Sequence, residues 1–149
     1  MEHSTHFPDA FYRVTIKGFC VENGKLLMIR ESDALSGRWE LPGGGMDFGE
    51  DMHTAFKREV GEEMGLKVSR MSRTPVYVWR HKIESRRIGW FYTMVLAYRV
   101  AFEDLHFTPS EECEEIRFVS KEEIPTLKIG GQMTELPEIF NPKDFTELF

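Results

Sequence analysis

Two cysteines, Cys20 and Cys113, are all that 149 residues contain. They are far apart in sequence and form no paired metal-ligand motif, though a single disulfide between them stays open. A reduced protein with each thiol packed as a small apolar group is the simpler expectation. Long hydrophobic runs are missing too. The longest, Trp90 to Tyr98, includes Thr93 and falls well short of the roughly 20 residues that span a bilayer. The opening Met1-Glu2-His3-Ser4-Thr5-His6 has no apolar centre of the kind an export signal needs, so a cytoplasmic location is expected. Positive charge is short: 19 Lys and Arg face 25 Asp and Glu, a net charge of −6. Stable nucleic-acid binding needs a basic face and is not expected. A small phosphate substrate is still allowed, because metal ions can sit between two anionic partners.

What is present reads as one globular domain over residues 1–149. The chain is long enough for a real core, 41% of it is hydrophobic and 30% charged, and its 12 Phe, 3 Trp and 4 Tyr supply bulky core material. Phe11 to Val21 is rich in β-branched and aromatic residues and predicts a strand. Asn23-Gly24 predicts a two-residue hairpin turn, with Lys25 to Arg30 as the partner strand. Trp39 to Pro42 is short and extended and ends in Gly43-Gly44-Gly45. A helix is predicted from near Glu50 to Gly65. Further strands are predicted at Pro75 to Ile83, Ile88 to Phe102 and Ile116 to Val119, with Glu84 to Arg87 joining the first two. Lys121 to Pro125 predicts a helical turn. Asn141-Pro142 predicts the start of a terminal helix over Lys143 to Leu148.

The predicted helix has an unusual face. With Met52 at zero and about 100° per residue, Phe56 falls near 40°, Val60 near 80°, Met64 near 120° and Ala55 near 300°. That is an apolar stripe facing the sheet. On the same count Glu59 falls near about 340° and Glu63 near 20°, inside the stripe, with Glu62 near 280° at its margin. Carboxylates at an apolar interface need compensation, and three within one turn repel one another. Either the helix end projects into water, or a cation sits among them. The i, i+3 and i+4 spacing lets the three side chains converge, and oxygen-only ligands select Mg²⁺ or Mn²⁺ over zinc. The glycines before the helix permit close approach of a ligand and can offer a carbonyl to a metal or amides to an anion. Arg58 can orient one of the glutamates or Glu50. No Lys-Ser or Lys-Thr follows the glycines, so they form no P-loop.

Gly44, five residues, Glu50, seven residues, then Arg58-Glu59-Val60-Gly61-Glu62-Glu63-Met64-Gly65-Leu66 resembles a complete Nudix box. A chance match is on the order of 10⁻⁹ to 10⁻¹⁰ per starting point at average composition. The resemblance implies a Nudix-type α/β/α sandwich with a mixed sheet and a loop-helix-loop motif. It implies hydrolysis of a diphosphate bond in a nucleoside diphosphate-linked substrate, such as an NTP or dNTP, ADP-ribose or a nucleotide sugar. It implies Mg²⁺, or Mn²⁺ as substitute, held by Glu59, Glu62 and Glu63 with the carbonyl of Gly43 or Gly44. Glu50 and Arg58 would support those ligands, and Gly65 would turn the chain out of the helix. The general base would be Glu59 or a glutamate on a later loop, with Glu112 the candidate and Glu111, Glu114 and Glu115 its rivals. Dimers are common in the family, which leaves a homodimer open.

Substrate marks of several subgroups are missing. His81-Lys82 stands where a proline accompanies ADP-ribose, and Ile83 where dinucleoside-polyphosphate hydrolases carry a tyrosine. Arg38, Trp79, Arg80 and Trp90 are the candidate substrate contacts, although strand aromatics more often belong to a core and the basic run Arg80 to Arg87 more often to a solvated turn. Two other classes share the fold: a non-catalytic nucleotide sensor, and an isopentenyl-diphosphate isomerase, which would need a cysteine at the metal site.

Overall fold

A computed structural model describes residues 11–87 and 89–149. The readings made on residues 1–6 and on Ile88 lie outside the described residues.

The segment Phe11 to Val21, expected as one strand, divides at Cys20. β1 (Tyr12–Phe19) and β2 (Val21–Glu22) belong to different sheets. The partner changes there: Phe19 pairs with Arg99, whereas Val21 pairs with Leu26 across the hairpin. Asn23 (φ 51°) and Gly24 (φ 76°) supply the two positive φ angles of that turn. β3 (Lys25–Arg30) follows, then β4 (Trp39–Glu40) and β5 (Gly43–Gly45). The helix α1 (Met52–Met64) leads to β6 (Val68–Met71), which was not foreseen, and to β7 (Tyr77–Ser85), β8 (Gly89–Phe102) and β9 (Glu115–Val119).

One sheet runs β5-β1-β8, with β7 paired to the first part of β8 and β6 to its last residues. β1 and β8 are parallel and the other pairs antiparallel. In the second sheet β9 pairs along most of β3, and β2 and β4 take the two ends of β3. The fold is the mixed α/β architecture expected, with a curled mixed sheet. Alternate strand residues face opposite sides, so the sheets feed two cores. Tyr98 and Val100 of β8 join Ala55, Phe56, Val60 and Met64 of α1. Val95 and Ala97 join Phe19, Trp79 and the C-terminal Met133, Leu136, Phe140 and Phe145.

That C-terminal layer is built from short pieces. It holds 3₁₀ turns at Ile124–Thr126, Gly131–Met133 and Pro142–Phe145, and a four-residue helix α2 (Leu136–Ile139). The terminal helix expected over Lys143 to Leu148 is only the last of these turns. Asn141 caps it as read, accepting from the Lys143 amide, but the aromatic packing of Phe140 and Phe145 against Phe19 holds the chain in a compact turn.

Candidate active site

The helix α1 is fixed at both ends. Asp51 accepts from the Thr54 amide at 2.9 Å, a side-chain N-cap. Gly65 (φ 67°) returns its amide to the Gly61 carbonyl, the left-handed C-terminal turn expected. Two carbonyls of the last turn are then satisfied by a distant loop. The Thr108 amide donates to Met64 O at 2.7 Å, and Ser110 Oγ donates to Glu63 O at 2.7 Å. This ties the loop that carries Glu112 to the end of the helix.

The acidic residues of α1 separate as their angular positions predict. Glu63, inside the apolar stripe, is 8% exposed. The Glu59 side chain is 17% exposed and that of Glu62, at the margin, 60%. Arg58 sorts them. Its Nε and Nη2 grip both oxygens of Glu50 at 2.8 and 2.9 Å, a bidentate pairing. Nη1 donates to Glu59 at 3.1 Å and Glu62 at 3.3 Å, and Nη2 also reaches the Gly45 carbonyl at 3.1 Å. The guanidinium holds the Glu50 carboxyl below its usual range, helped by the Asp47 amide.

Glu63 meets no guanidinium. Its Oε2 is buried without a hydrogen bond. Burial pushes its pKa up to about 8, the Lys17 ammonium opposes this, and the Glu59 and Glu112 charges add to it. These groups line one cleft of about 340 Å³, with Gly43, Gly44 and Gly45 on its wall. The glycines form an edge strand on β1 rather than a free loop. A Cβ at Gly43 (φ 113°) would strike the Ile16 carbonyl, and one at Gly44 would lie 2.5 Å from a Glu59 oxygen. Where the sequence reading expected a ligand to come close to the glycines, the groups that come close are the neighbouring strand at Gly43 and the Glu59 carboxylate at Gly44.

The expected convergence of Glu59, Glu62 and Glu63 on one point is not what the structure shows. Among the described residues no three His, Cys, Asp or Glu side chains stand arranged around a metal position. Glu62 shares Arg58 Nη1 with Glu59, at 3.3 and 3.1 Å, and stands exposed, and the acidic side chains that line the cleft are Glu31, Glu40, Glu59, Glu63 and Glu112. Of the acidic loop, Glu112 alone lines the cleft; Glu114 pairs with Arg30 at 2.9 Å and Glu115 with Arg117 at 3.3 Å. The donor set nevertheless fits a hard divalent cation, because an orphaned buried carboxylate oxygen faces further oxygen donors.

Arg38, Trp79, Arg80 and Trp90 do not line this cleft. Arg38 is exposed. Trp79 is core, its indole donating to the Gln132 carbonyl at 3.0 Å. Arg80 lies over Tyr92, and Lys82 over the exposed Trp90. The cleft is lined instead by Leu35, Ile83 and Phe91, by Arg13 and Gln132, and by Lys17 and Glu40. None of these carries a sequence signal of its own. The alternation along β1 does place Thr15 and Lys17 on one face, which hints at a lysine turned inward.

Comparison with known proteins gives the family and the fold. The NUDIX domain matches residues 12–137, and the chain belongs to the Nudix family. It is a Nudix hydrolase, and Nudix hydrolases generally use divalent metal ions and act on small nucleotide-type substrates. A MutT-like protein of Streptomyces ambofaciens is 43% identical over 67 residues, 44% of this chain and 42% of that protein; the chain thus covers under half of that relative. A nucleoside triphosphatase, NudI, of Enterobacter sp. is 29% identical over 118 residues, 72% of this chain and 82% of that protein. The crystal structure of a MutT Nudix hydrolase from Burkholderia pseudomallei shares the fold, with a TM-score of 0.68 at 24% identity over 88% of this chain and 99% of that one. No helix among the described residues is long and apolar enough to cross a membrane.

Proposed function

We propose that this chain hydrolyses a phosphoanhydride bond of a nucleoside triphosphate-type substrate with Mg²⁺, or with Mn²⁺ in its place. The observation that carries the reading is Glu63 Oε2, buried and unpartnered at the end of a cleft shared with Glu59, Glu112 and the glycine edge strand. Glu59 and Glu63, with a carbonyl of Gly43 or Gly44, would hold the metal, joined by Glu62 on exchange of its Arg58 contact. Bound divalent ions neutralise phosphate oxygens and make an attacking water more acidic.

The remaining work falls to the chain. Glu50 and Arg58 orient Glu59 from outside. Glu112, on the loop tied to the helix end, takes the proton from the attacking water, with Glu59 the rival base. Leu35, Ile83 and Phe91 give the cleft an apolar wall on which a base or sugar can rest. A triphosphate is preferred over other diphosphate derivatives because one relative covered over 82% of its length is a nucleoside triphosphatase.

Both thiols are buried and neither lines the cleft, which speaks against the cysteine chemistry an isoprenoid isomerase would need. The decisive assay presents NTPs, dNTPs, ADP-ribose, dinucleoside polyphosphates and nucleotide sugars with Mg²⁺ or Mn²⁺ and measures released phosphate and pyrophosphate. Turnover of a triphosphate that vanishes with chelator supports the proposal. Tight binding of a nucleotide with no turnover of any compound would instead identify a sensor.

A further inference from the structure

Lys17 is 4% exposed. A buried ammonium is costly unless its three donors find acceptors. Here it donates to Gly43 O at 2.7 Å and to Leu41 O at 3.1 Å, and Glu40 Oε2 lies 3.5 Å away. Two of these acceptors are main-chain carbonyls of the segment that forms the glycine edge strand and the stretch before it, so the position of Nζ is set by backbone. Thr15, its neighbour on the same face of β1, is tied to Thr93 at 2.7 Å, which fixes the strand beneath it. Lys17 also lines the cleft that holds Glu40, Glu59, Glu63 and Glu112.

We infer that Lys17 is a tethered cation of the acidic cleft: it occupies the Gly43 carbonyl, offsets one carboxylate charge, and thereby weakens the uptake of divalent ions there. The inference rests on the proposed metal-dependent function, in which the Gly43 carbonyl is a candidate ligand. Each carbonyl oxygen has two lone pairs, and the ammonium takes one of those on Gly43. A fixed positive charge in the cleft also repels an incoming dication, an effect large at short range in a partly dry site. Lys17 is thus a positioning residue that sets the metal load of the site.

The test is Mn²⁺ binding without nucleotide, read as free Mn²⁺ by electron paramagnetic resonance, on wild-type protein and on Lys17→Gln, Lys17→Met and Lys17→Arg. Gln keeps an N–H donor for the carbonyls and loses the charge; Met loses both; Arg keeps the charge. Lys17→Gln and Lys17→Met are expected to bind Mn²⁺ at least about tenfold more tightly than wild type, and to gain more in Tm when Mn²⁺ is added. Lys17→Arg should stay close to wild type. A smaller tightening or any weakening in Lys17→Gln overturns the inference while leaving the function proposal intact. Should Lys17→Gln fail to fold, Lys17→Met decides by the same criterion; should both fail, a Lys17→Arg affinity that departs tenfold from wild type overturns it and one that does not upholds it. Wild-type protein that binds no Mn²⁺ removes the proposed function and this inference together.

Discussion

Arg58 and Lys17 are cations of the same acidic region held in opposite ways. Arg58 stands on the outer side of the helix, where Glu50, Glu59 and Glu62 meet its guanidinium at 2.8 to 3.3 Å. Every group there is paired, and of the three carboxylates only Glu62 is largely open to water. Lys17 stands inside, bound mainly to backbone, opposite a glutamate with an oxygen that nothing satisfies. The difference separates support from readiness. Paired charges fix geometry and have their partners already, whereas a buried carboxylate left short of partners keeps its affinity for an incoming ligand. Glu62 and Glu63 show the division at single-residue scale: they are adjacent in sequence, about 100° apart around the helix, and one belongs to each side.

The largest expected effect is on the inner side. Glu63→Gln should lower kcat at least about 10²-fold without loss of the folded state, measured by steady-state turnover and circular dichroism; near wild-type kcat would remove Glu63 from the site. On the outer side, Glu50→Gln should cost about 10- to 100-fold in metal affinity or activity, the range for a supporting partner; an effect as large as that of Glu63→Gln would erase the contrast between the two sides. Gly44→Ala tests their junction, since its methyl must displace the Glu59 carboxylate. Activity should fall about tenfold, within the range a 1 Å misplacement produces, while Tm changes little.

The inner side also makes the metal-free protein sensitive to pH. Glu63 titrates near 8 in the folded chain, above its ordinary value of 4.5. Between these values the folded chain holds a proton that the unfolded chain has released. Its contribution to stability is therefore complete below about pH 4.5, declines as pH rises, and is gone above about pH 8. Chelated wild-type protein should lose denaturant resistance over that interval relative to Glu63→Gln; parallel curves for the two would show that Glu63 is not held in this way. The smallest effect belongs to the helix end, where Gly65→Ala at φ 67° should cost about 1 kcal/mol by denaturant unfolding.

The sequence was most legible where one period ran uninterrupted. The 3.6-residue repeat of α1 placed Glu59 and Glu63 inside the apolar stripe and Glu62 at its margin, and their exposures follow that order, with Glu63 the most buried and Glu62 the least. The Asn23-Gly24 turn was equally plain, because few residues accept its backbone. Legibility failed where tertiary partners decide. Nothing local says that β1 must hand over from β8 to β3 at Cys20, or that Glu31 and Glu40 would join Glu59, Glu63 and Glu112 around one cleft. Trp79 and Trp90 have similar surroundings in sequence, yet one is buried and the other exposed, because their strands present them to opposite faces. Lys17 went unnoticed because a lone lysine in a strand carries no motif; only the backbone carbonyls folded around it reveal its place.

The bonds from Thr108 and Ser110 to the last turn of α1 make the acidic loop and the helix end one mechanical body. Glu112 cannot be pulled toward a ligand without loading the peptide groups of Glu63 and Met64. Ligand capture at the mouth should therefore register as slowed amide hydrogen exchange at Thr108, on a residue that itself need not touch the ligand.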